Sequence, residues 1–536
     1  MPERHGTLNI CWKCLIFIDT LRAAIETATQ HPPRLAAYAH WLLLSALPSV
    51  FLLATTNYIM LEVGSFPFIW VIPLALYLGS FIVTFRTGGG VPRLLRVFWL
   101  ELLLAAFSLY LIGPSHKLVL VGLLGIFFAI CLVAHGTLYE LRPAASRLTN
   151  FYLASALGGW LGGAFVSLVA PRVFSGLFEY PMALILFGAL FWWHRDKGFT
   201  AFWPNASRLA AWSRMLAIGI LLFPTGMFIV ASVKEPTKFR HRNFYGTYRI
   251  VDKTLQDGPV TVRELVHGRT LHGSQILDPS RRLEPTSYYY RGGPLSDVCD
   301  LVPSPRRIAV VGLGSGTISA YTRENDVFTY YEIDPDNEKI ARTWFTYLKE
   351  AKGKVTVTVG DGRLSMQDWN TDKMKYDLIT IDAFTGDGVP THLLTREAIG
   401  TYLERLREDG IILFHITNRF YDLRPVLKST AATLGLSGAM NDRARKRKEE
   451  APYATSQYVA LAVDPVRLRP LIGHGWIAFG KGDGLKNMPP WTDDYINVLA
   501  PLALWANTRA NAFGLYPVTG RNLQVSCRDS PYPTRP

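Results

Sequence analysis

Acidic residues follow several predicted β-strands in the second half of the chain, where each could accept a proton or a hydrogen bond. Glu332 ends one apolar run, Asp361 follows the next, and Asp382 ends a third. Asp387 comes shortly afterwards in a glycine-rich loop. An aspartate after a strand is commonly only the N-cap of the following helix. Four acids at successive strand ends favour a functional site instead.

A glycine-rich loop precedes these acids in the sequence. The apolar stretch 308–311 leads into Gly-Leu-Gly-Ser-Gly at 312–316, and Glu332 follows. Glycine allows the backbone to turn sharply and to approach a ligand closely. An acidic residue about 20 positions beyond such a loop commonly binds the ribose of a nucleotide. The sequence therefore predicts a nucleoside-containing cofactor here, and a tight turn in some other α/β domain is the alternative.

The elements that must position these residues alternate in type after residue 306. Helical stretches, notably 393–408 and one directly after the glycine loop, separate most of the predicted strands. Strands are predicted at 307–312, 327–333, 354–359, 376–382, 410–416, 457–463 and 475–479. This alternation predicts a Rossmann-like α/β domain over 306–505, with a doubly wound parallel sheet. Ligands of such sheets bind at the carboxyl ends of the strands.

A small β-domain is predicted over 240–305, where short strands and turns replace the α/β alternation. The stretch 260–266 alternates and runs into His267 and Gly268, and 270–276 returns, which is typical of a hairpin. Gln275 and the adjacent Tyr288 and Tyr289 lie in this region. Aromatic runs usually pack in cores, and a wall of the substrate site is the functional alternative.

The first half of the chain is different in kind, because long apolar runs dominate it up to about residue 233. After a tail at 1–36, a helical membrane domain of about seven spans is predicted over 37–233. Each run approaches the length of about 20 residues that crosses a bilayer. The spans are predicted at 37–61, 65–85, 95–113, 117–138, 150–171, 175–194 and 213–233. The segment 506–536 is predicted to be a flexible tail.

The charge of the chain points to a lipid bilayer rather than to a nucleic acid. The net charge is +14 and the pI is near 9.5. Much of the basic excess lies in short loops between predicted spans, as the positive-inside rule expects. Of five cysteines, Cys11 and Cys14 have CxxC spacing but no second pair of ligands, so no metal site is predicted.

The predicted topology contains a conflict. The loops at 86–94, 139–149 and 195–212 are basic and predicted to be cytosolic. Seven spans would then place the second half outside the cytosol. Lys234, Lys238, Arg240 and Arg242 nevertheless follow the last span, and nucleotide cofactors are cytosolic. A multi-pass protein of a bacterial-type inner (plasma) membrane with a cytosolic second half is therefore predicted, with one span miscounted or re-entrant.

The second half, over about 243–500, resembles the spermidine synthase (polyamine aminopropyltransferase) family. The whole chain resembles bacterial membrane proteins in which such a domain is fused to a transporter-like helical part. The segments that carry the resemblance are FYGTYRIV, LHGSQ, PTSYYY, VVGLGSG, YYEIDP, GDGR, YDLITIDAF, GDGVPTHLLTREA, FHITNR and WTDDY.

The resemblance implies a binding site for decarboxylated S-adenosylmethionine as the donor. Glu332 would hold the ribose hydroxyls, and Asp361, with Gly362 beside it, would take the adenine amino group. Three loop glycines would line the nucleoside and its sulfonium tail: Gly312, Gly314 and Gly316. At position 315 a serine replaces the aspartate that this loop carries in the classical enzymes. The identity of the donor is therefore open between the decarboxylated form and S-adenosylmethionine itself.

The resemblance also implies a site for a small polyamine or another amine. Asp382 would be the base that faces the attacking amine, and Asp387 lies near a second acid of the family's loop. The classical Tyr-x-Glu is replaced by three tyrosines at 288–290, so a diamine-binding carboxylate is lost. The substrate-binding residues expected on these grounds are Gln275, Tyr288, Tyr289, Asp387, Asp493 and Asp494.

Three hypotheses of function follow from these observations. The first is aminopropyl transfer to an amine by direct displacement, which needs no metal and suits a homodimer as in the family. The second is methyl transfer from S-adenosylmethionine, which uses the same fold and glycine loop. The third is a non-catalytic membrane sensor or transporter that binds a polyamine or a nucleoside.

Overall fold

The described part of the chain falls into a helical bundle and a carboxy-terminal half built on two β-sheets. The computed structural model describes residues 35–63, 70–86, 88–113, 117–194, 237–255, 260–268, 270–369, 374–384, 390–418, 421–441 and 456–501, with isolated residues between 212 and 223.

Apolar helices that run back and forth form the bundle. They are α1 Leu35–Val63, α2 Val71–Phe85, α3 Arg93–Val97, α4 Trp99–Ile112, α5 Lys117–Glu140, α6 Leu148–Ala164, α7 Ala170–Val173 and α8 Glu179–Trp193. A π-helical stretch, Phe165–Val169, joins α6 to α7, so the three segments form one continuous helix. These helices cover the first six predicted spans, while most of the seventh, 213–233, lies outside the described residues.

Glycines allow α6 to pack directly on the backbone of α1. A Cβ added at Gly158 would lie 2.4 Å from the carbonyl oxygen of Leu42, and one at Gly162 would lie 2.4 Å from that of Ala46. Larger side chains would therefore push the helices apart, which is the physical basis of small-residue packing between apolar helices. Residues four positions further along α6 contact residues four positions further along α1, so the two helices run parallel.

Only some helices of the bundle have the length that crossing a membrane requires. Among the described residues, three helical stretches are long and apolar enough to cross a membrane: Leu35–Glu62, Leu118–Glu140 and Ala145–Val173. The other apolar helices, α2, α4 and α8, have 14 or 15 residues. Large apolar side chains cover the outside, such as Ile82, Leu118, Trp160 and Ile185, each at least 66% exposed.

A four-stranded antiparallel sheet opens the second half. Its strands are β1 Thr237–Arg242, β2 Thr247–Thr254, β3 Thr261–His267 and β4 Thr270–Ile276, in that spatial order. The turn from β3 to β4 contains Gly268 at φ +62°, a conformation that glycine adopts readily. The inner face of the sheet packs on the helix that follows β6, through Tyr248, Ile250 and Leu265 against Ile340 and Phe345.

An eight-stranded sheet forms the centre of the second half. Its strands are β5 Arg307–Val311, β6 Val327–Glu332, β7 Lys354–Val359, β8 Tyr376–Ile381, β9 Leu406–His415, β10 Ser437–Asn441, β11 Tyr458–Ala462 and β12 Trp476–Ala478. The spatial order is β12-β10-β11-β9-β8-β5-β6-β7. The strands β7, β6, β5, β8 and β9 are parallel.

Helices cover both faces of this sheet, so its central strands are continuous apolar runs. They are α9 Pro294–Leu301, α10 Pro335–Trp344, α11 Gly362–Gln367, α12 Arg396–Arg405, α13 Arg424–Thr433 and α14 Arg469–Gly473. Ala398, Tyr402 and Val426 fill one core against Ile379 and Ile412. A second core on the other side contains Leu295, Val298 and Leu471.

Three features differ from the sequence-based expectation. The sheet is mixed rather than wholly parallel, because β11 pairs antiparallel with β9 and β10 pairs antiparallel with both β11 and β12. The short strand β10 was not predicted at all. The helix expected directly after the glycine loop is only a 3-10 turn, Thr317–Tyr321, before the chain enters β6.

Candidate functional site

The glycine loop lies at the carboxyl end of β5, in contact with backbone from two directions. Gly312 has φ +99°, and a Cβ there would lie 2.3 Å from the carbonyl oxygen of Asp382 at the end of β8. Gly314 has φ +53°, and a Cβ there would lie 2.5 Å from the carbonyl oxygen of His272 in β4. The loop therefore brings the end of the parallel sheet and the small sheet together at one place.

Glu332 at the end of β6 holds this loop in place. Its carboxylate accepts hydrogen bonds from the backbone N–H of Leu313 at 2.9 Å, the backbone N–H of Asp334 at 2.9 Å and the side-chain amide of Asn337 at 3.0 Å. An ionised carboxylate offers about four acceptor positions, so one stays open for a ligand hydroxyl. Burial raises the pKa of Glu332 against the lowering effect of these donors.

Asp382 follows β8 and is buried, with 3% of its side chain exposed. The hydroxyl of Tyr289 donates to Asp382 Oδ2 at 2.5 Å, so the small sheet's following segment reaches the end of the large sheet. Burial and the neighbouring carboxylate of Asp382 raise the pKa of Tyr289 well above its ordinary value. Tyr289 therefore stays a hydrogen-bond donor, and it fixes one oxygen of the predicted base.

His415, the last residue of β9, fixes the other oxygen of Asp382. Its Nδ1 lies 2.6 Å from Asp382 Oδ1, and its Nε2 lies 2.8 Å from Thr417 Oγ1. With Asp382 ionised, Nδ1 must carry the proton and donate it. The backbone N–H of Gln457, next to β11, donates to Thr417 Oγ1 at 2.9 Å and holds this hydroxyl in place. The sequence prediction missed His415 as a site residue.

Aromatic rings enclose the imidazole of His415. Tyr458 stacks on it with ring centroids 4.5 Å apart, Tyr288 lies at 4.7 Å, and Phe384 meets it edge-on at 4.9 Å. The Tyr288 hydroxyl donates to the carbonyl of Leu271 at 3.3 Å. Tyr288 and Tyr289 thus pack around the Asp382–His415 pair, and their role as a substrate wall stays a prediction.

His272 in β4 adds a second imidazole near the glycine loop. Among the described atoms, its Nε2 is buried without a hydrogen-bond partner. Burial lowers the pKa of His272 to about 3, with smaller contributions from His267 and His415. His272 is therefore neutral at physiological pH, and it was not among the predicted site residues.

Asp361 is the N-cap of α11. Its Oδ1 accepts from the backbone N–H of Leu364 at 2.9 Å, and its Oδ2 lies 3.2 Å from His392 Nε2. The hydrogen bond from His392 is the main reason that the pKa of Asp361 is lowered. Gly362 beside it packs on β5, where a Cβ would lie 2.6 Å from a methyl of Val311. The capping role that was the alternative for Asp361 is present, and its adenine-binding role stays a prediction.

Asp493 lies beside the same edge of the sheet and is bound to Arg363. The guanidinium donates to both carboxylate oxygens, at 2.8 and 2.6 Å, and Thr395 Oγ1 donates to Asp493 Oδ1 at 2.8 Å. These contacts lower the pKa of Asp493. Asp494 next to it is exposed. The structure thus gives Asp493 a partner 130 residues away in sequence, and a substrate role for either acid stays a prediction.

Gln275 is buried, and its side-chain amide is already bound within the protein. The amide nitrogen donates to the carbonyl of Arg282 at 2.9 Å and to Thr346 Oγ1 at 2.8 Å, and Oε1 accepts from the backbone N–H of Thr346 at 3.1 Å. It fastens β4 to the segment after α10. Asp387, the remaining predicted residue, lies outside the described residues.

Comparison with known proteins finds relatives for one segment of this chain. A segment of 125 residues is 31% identical to the polyamine aminopropyltransferase of Vibrio vulnificus (strain CMCP6), covering 22% of this chain and 41% of that protein. The corresponding protein of Clostridium beijerinckii (strain ATCC 51743 / NCIMB 8052) is 33% identical over 125 residues, covering 22% and 43%. The chain thus spans about two fifths of the length of these curated relatives. No family model matches the sequence.

Among solved structures, the spermidine synthase of Thermotoga maritima aligns over 50% of this chain and 84% of that chain, at 13% identity and a TM-score of 0.31. A probable spermidine synthase from Corynebacterium glutamicum ATCC 13032 aligns over 49% and 98%, at 14% identity and a TM-score of 0.35. Because these structural alignments have low identities and low TM-scores, the relationship rests on the sequence matches. A segment of this chain is related to the polyamine aminopropyltransferases, which confirms the resemblance to the spermidine synthase family.

Proposed function

We propose that this chain is an aminopropyltransferase that moves an aminopropyl group from decarboxylated S-adenosylmethionine to a small amine. The observation that carries the proposal is the position of Asp382. Its carboxylate is buried, each of its oxygens lies within hydrogen-bond distance of a fixed side chain, and its backbone touches the glycine loop at Gly312. A base and a nucleoside-binding loop therefore share one site.

The reaction asks little of the protein beyond position and one proton acceptor. An amine has a pKa of about 10.4 and arrives protonated, so it must lose a proton before it can attack. Asp382 accepts this proton, directly or through a water molecule. The amine nitrogen then forms a bond to the donor's aminopropyl carbon as the bond from that carbon to the sulfonium sulfur breaks. The sulfur leaves as a neutral thioether, methylthioadenosine.

The contacts around Asp382 support this role. Tyr289 and His415 hold both carboxylate oxygens, so the group cannot rotate away from its direction of approach. Positioning of two reactants in this way contributes strongly to direct displacements. General-base assistance of this kind contributes roughly 10²- to 10⁴-fold to a rate.

On the donor side, Glu332 combines two tasks. It binds the backbone N–H of Leu313 and so shapes the loop, and it keeps an acceptor position for ribose hydroxyls. Asp361 and Gly362 are proposed to lie at the adenine, since Asp361 keeps lone pairs beyond those used for capping and for His392. Gly314 and Gly316 are proposed to line the sulfonium tail.

Methyl transfer from S-adenosylmethionine is the second candidate, and Ser315 favours it. This serine is buried, and its hydroxyl lies 2.7 Å from that of Thr317, so the loop offers a hydroxyl pair where the classical enzymes carry an acid. An aminopropyl ammonium would lose a counter-charge there. The two candidates differ in the product that they release.

We also propose that the bundle anchors the enzyme in a bacterial-type inner membrane as a multi-pass domain. Three helices of sufficient length and a surface of exposed large apolar side chains support this. Dimer formation, which the family implies, would leave this anchor unchanged.

Product analysis on the detergent-purified full-length protein tests the proposed activity. The protein would be supplied with decarboxylated or intact S-adenosylmethionine and a panel of di- and polyamines, with Asp382→Asn as the matched control. Methylthioadenosine formed only from the decarboxylated donor, only with an amine and only by the native protein is the expected result. S-adenosylhomocysteine would establish methyl transfer instead. Neither product, with nucleoside binding intact, would overturn both in favour of a sensor or transporter.

A further inference from the structure

The two ends of the helical bundle differ in what they contact and in their charge. We call the end that touches the four-stranded sheet the sheet end, and the opposite end the far end. At the sheet end, the two terminal guanidinium nitrogens of Arg242 in β1 donate to the carboxylate of Glu179 at 2.7 Å. One of them, Nη1, also donates to the backbone carbonyl of Gly176 at 2.6 Å. Gly268 in the β3–β4 turn lies against Leu61 near the end of α1.

Contacts between helices assign the remaining loops to one end or the other. The hydroxyl of Tyr58 donates to the backbone carbonyl of Tyr110 at 2.5 Å. The hydroxyl of Tyr110 donates to the backbone carbonyl of Leu177 at 3.3 Å. The end of α1, the end of α4 and the start of α8 therefore lie together at the sheet end.

The far end collects the other loops. Trp41 donates to the carbonyl of Leu141 at 3.0 Å, so the start of α1 lies beside the end of α5. The ring of Phe85, at the end of α2, meets that of Tyr139 with centroids 5.3 Å apart. The loops 86–98 and 141–147 consequently lie at the far end, together with the end of α8 near His194, whose ring faces that of His40.

Basic residues are unevenly divided between the two ends. In the described loops and helix termini the sheet end carries Lys117 and Arg172. The far end carries five arginines, of which Arg96 is paired with Glu140: Arg86, Arg93, Arg96, Arg142 and Arg147. Short loops rich in lysine and arginine stay on the cytosolic side of a bacterial inner membrane, and the count in such loops sets the orientation of the whole domain.

We propose that the far end faces the cytosol, and that the sheet end, with the candidate active site, faces the extracytoplasmic side. This orientation rests on the membrane anchoring proposed above, and it does not depend on which reaction the site performs. It reverses the sequence-based prediction of a cytosolic second half. That prediction gave weight to the basic residues that precede and enter β1.

The structure removes the contribution of Arg242, while Lys238 and Arg240 in β1 are exposed. Arg242 is a partner of Glu179 in a buried pair, with 4% and 0% of the two side chains exposed, and is no free charge at a membrane surface. Basic residues of a long domain also influence orientation far less than those of short loops. The seven spans predicted from the sequence lead to the same result without a miscounted or re-entrant span.

The orientation identifies the pool from which the site draws its amine. An acceptor amine would be one that is present outside the cytosol, such as a secreted or externally supplied polyamine. The nucleoside donor would have to be delivered to the same side, because such nucleotides are made in the cytosol. The proposed transferase thus becomes dependent on transport of its donor.

Cysteine labelling in the full-length protein tests the orientation. Ser280→Cys and Lys481→Cys report on the carboxy-terminal half, and Ser146→Cys and Thr149→Cys report on the far end; all four positions are exposed. The background carries Cys11, Cys14 and Cys527 replaced by serine, and the buried Cys131 and Cys299 are kept. Each variant is treated with a membrane-impermeant maleimide in intact spheroplasts and after lysis.

The expected result is labelling of the first two positions in intact spheroplasts, and labelling of the far-end positions only after lysis. Labelling of Ser146→Cys and Thr149→Cys in intact spheroplasts, with protection of the other two, would overturn the proposal. Equal labelling of both sets before lysis would also overturn it, since the bundle would then separate no compartments. The readout needs no turnover, so an inactive protein with the expected labelling would refute the proposed activity and leave the orientation standing.

Discussion

Two pairs of acids lie at one edge of the large sheet and differ in how they are held, and all but Asp493 lie at or just after the end of a strand. Glu332 and Asp382, the inner acids, are buried and contact the glycine loop directly. Asp361 and Asp493, the outer acids, have 23% and 42% of their side chains exposed, and they cap a helix or bind an arginine. The difference teaches that an acid after a strand gains its role from burial and from its partners.

Replacing the inner acid Asp382 by asparagine should have the largest effect. The change keeps the size of the side chain but removes the proton acceptor, so turnover should fall by roughly 10²- to 10⁴-fold. Binding of methylthioadenosine, measured by calorimetry, should stay within about twofold, because the donor site is intact. Normal turnover by this variant would contradict the assignment of Asp382 as the base.

Replacing the inner acid Glu332 by glutamine should chiefly weaken donor binding. Hydrogen bonds to a charged group are each worth about 1.5–3 kcal/mol, which corresponds to a loss of roughly 10- to 100-fold in affinity. The dissociation constant of methylthioadenosine is the quantity to measure, with Asp493→Asn as the matched outer control, because Asp493 is not proposed to contact the donor. An unchanged constant would show that the ribose is not bound by Glu332.

The pH dependence of donor binding should separate the two pairs again. Burial raises the pKa of Glu332 above its ordinary value. A hydrogen bond from His392 lowers the pKa of Asp361, and hydrogen bonds from Arg363 lower that of Asp493. As the pH falls from 7, Glu332 should be protonated first and affinity for methylthioadenosine should decline. The decline should be absent in Glu332→Gln. A curve that falls only below pH 3.8 would assign donor binding to the outer acids.

Replacing His415 by glutamine should reduce kcat by about tenfold and leave KM nearly unchanged. Glutamine can still donate one hydrogen bond to Asp382, but it does not titrate and does not fill the aromatic enclosure. General-base groups act through their fixed geometry and their protonation, so the pH profile of kcat should also change shape. A fall in stability with an unaltered profile would reduce His415 to a packing residue.

The outer acids should give the smallest effects. Asp361→Asn keeps a good N-cap, so unfolding free energy should change by only a few tenths of a kcal/mol. Asp493→Asn weakens a partly exposed pair with Arg363, worth up to about 1 kcal/mol. Chemical unfolding of both variants checks these values. A loss of turnover as large as that of Asp382→Asn would erase the distinction between inner and outer acids.

Local signals were sufficient for much of this site. The order of strands and turns around 307–382 follows from apolar runs and glycines, so the glycine loop and the acids Glu332 and Asp382 were found in the sequence. The hairpin of β3 and β4 was predicted from the alternation of apolar and polar residues and from the turn at Gly268. The tyrosines 288–290 were recognised as a candidate wall, and Tyr289 does contact Asp382.

What could not be found depends on contacts between distant segments. His415 lies 33 residues beyond Asp382, and only the pairing of β8 with β9 brings the two together. Arg363 meets Asp493 across 130 residues. The antiparallel part of the sheet was missed because β10 has only five residues. In addition, no local sequence feature predicts whether a strand pairs parallel or antiparallel with its neighbour. The available signals for His415 were a polar residue ending an apolar strand and its place in FHITNR, one of the segments that carry the family resemblance.

The buried pair of Arg242 and Glu179 has a consequence for biogenesis. Glu179 is made before β1 leaves the ribosome, and a buried carboxylate without its guanidinium is strongly destabilising. The bundle therefore reaches its final packing only after the start of the second half has arrived and docked. A chain cut before Thr237 would leave Glu179 buried without its partner, so the helical bundle and the carboxy-terminal half are expected to fold as one unit.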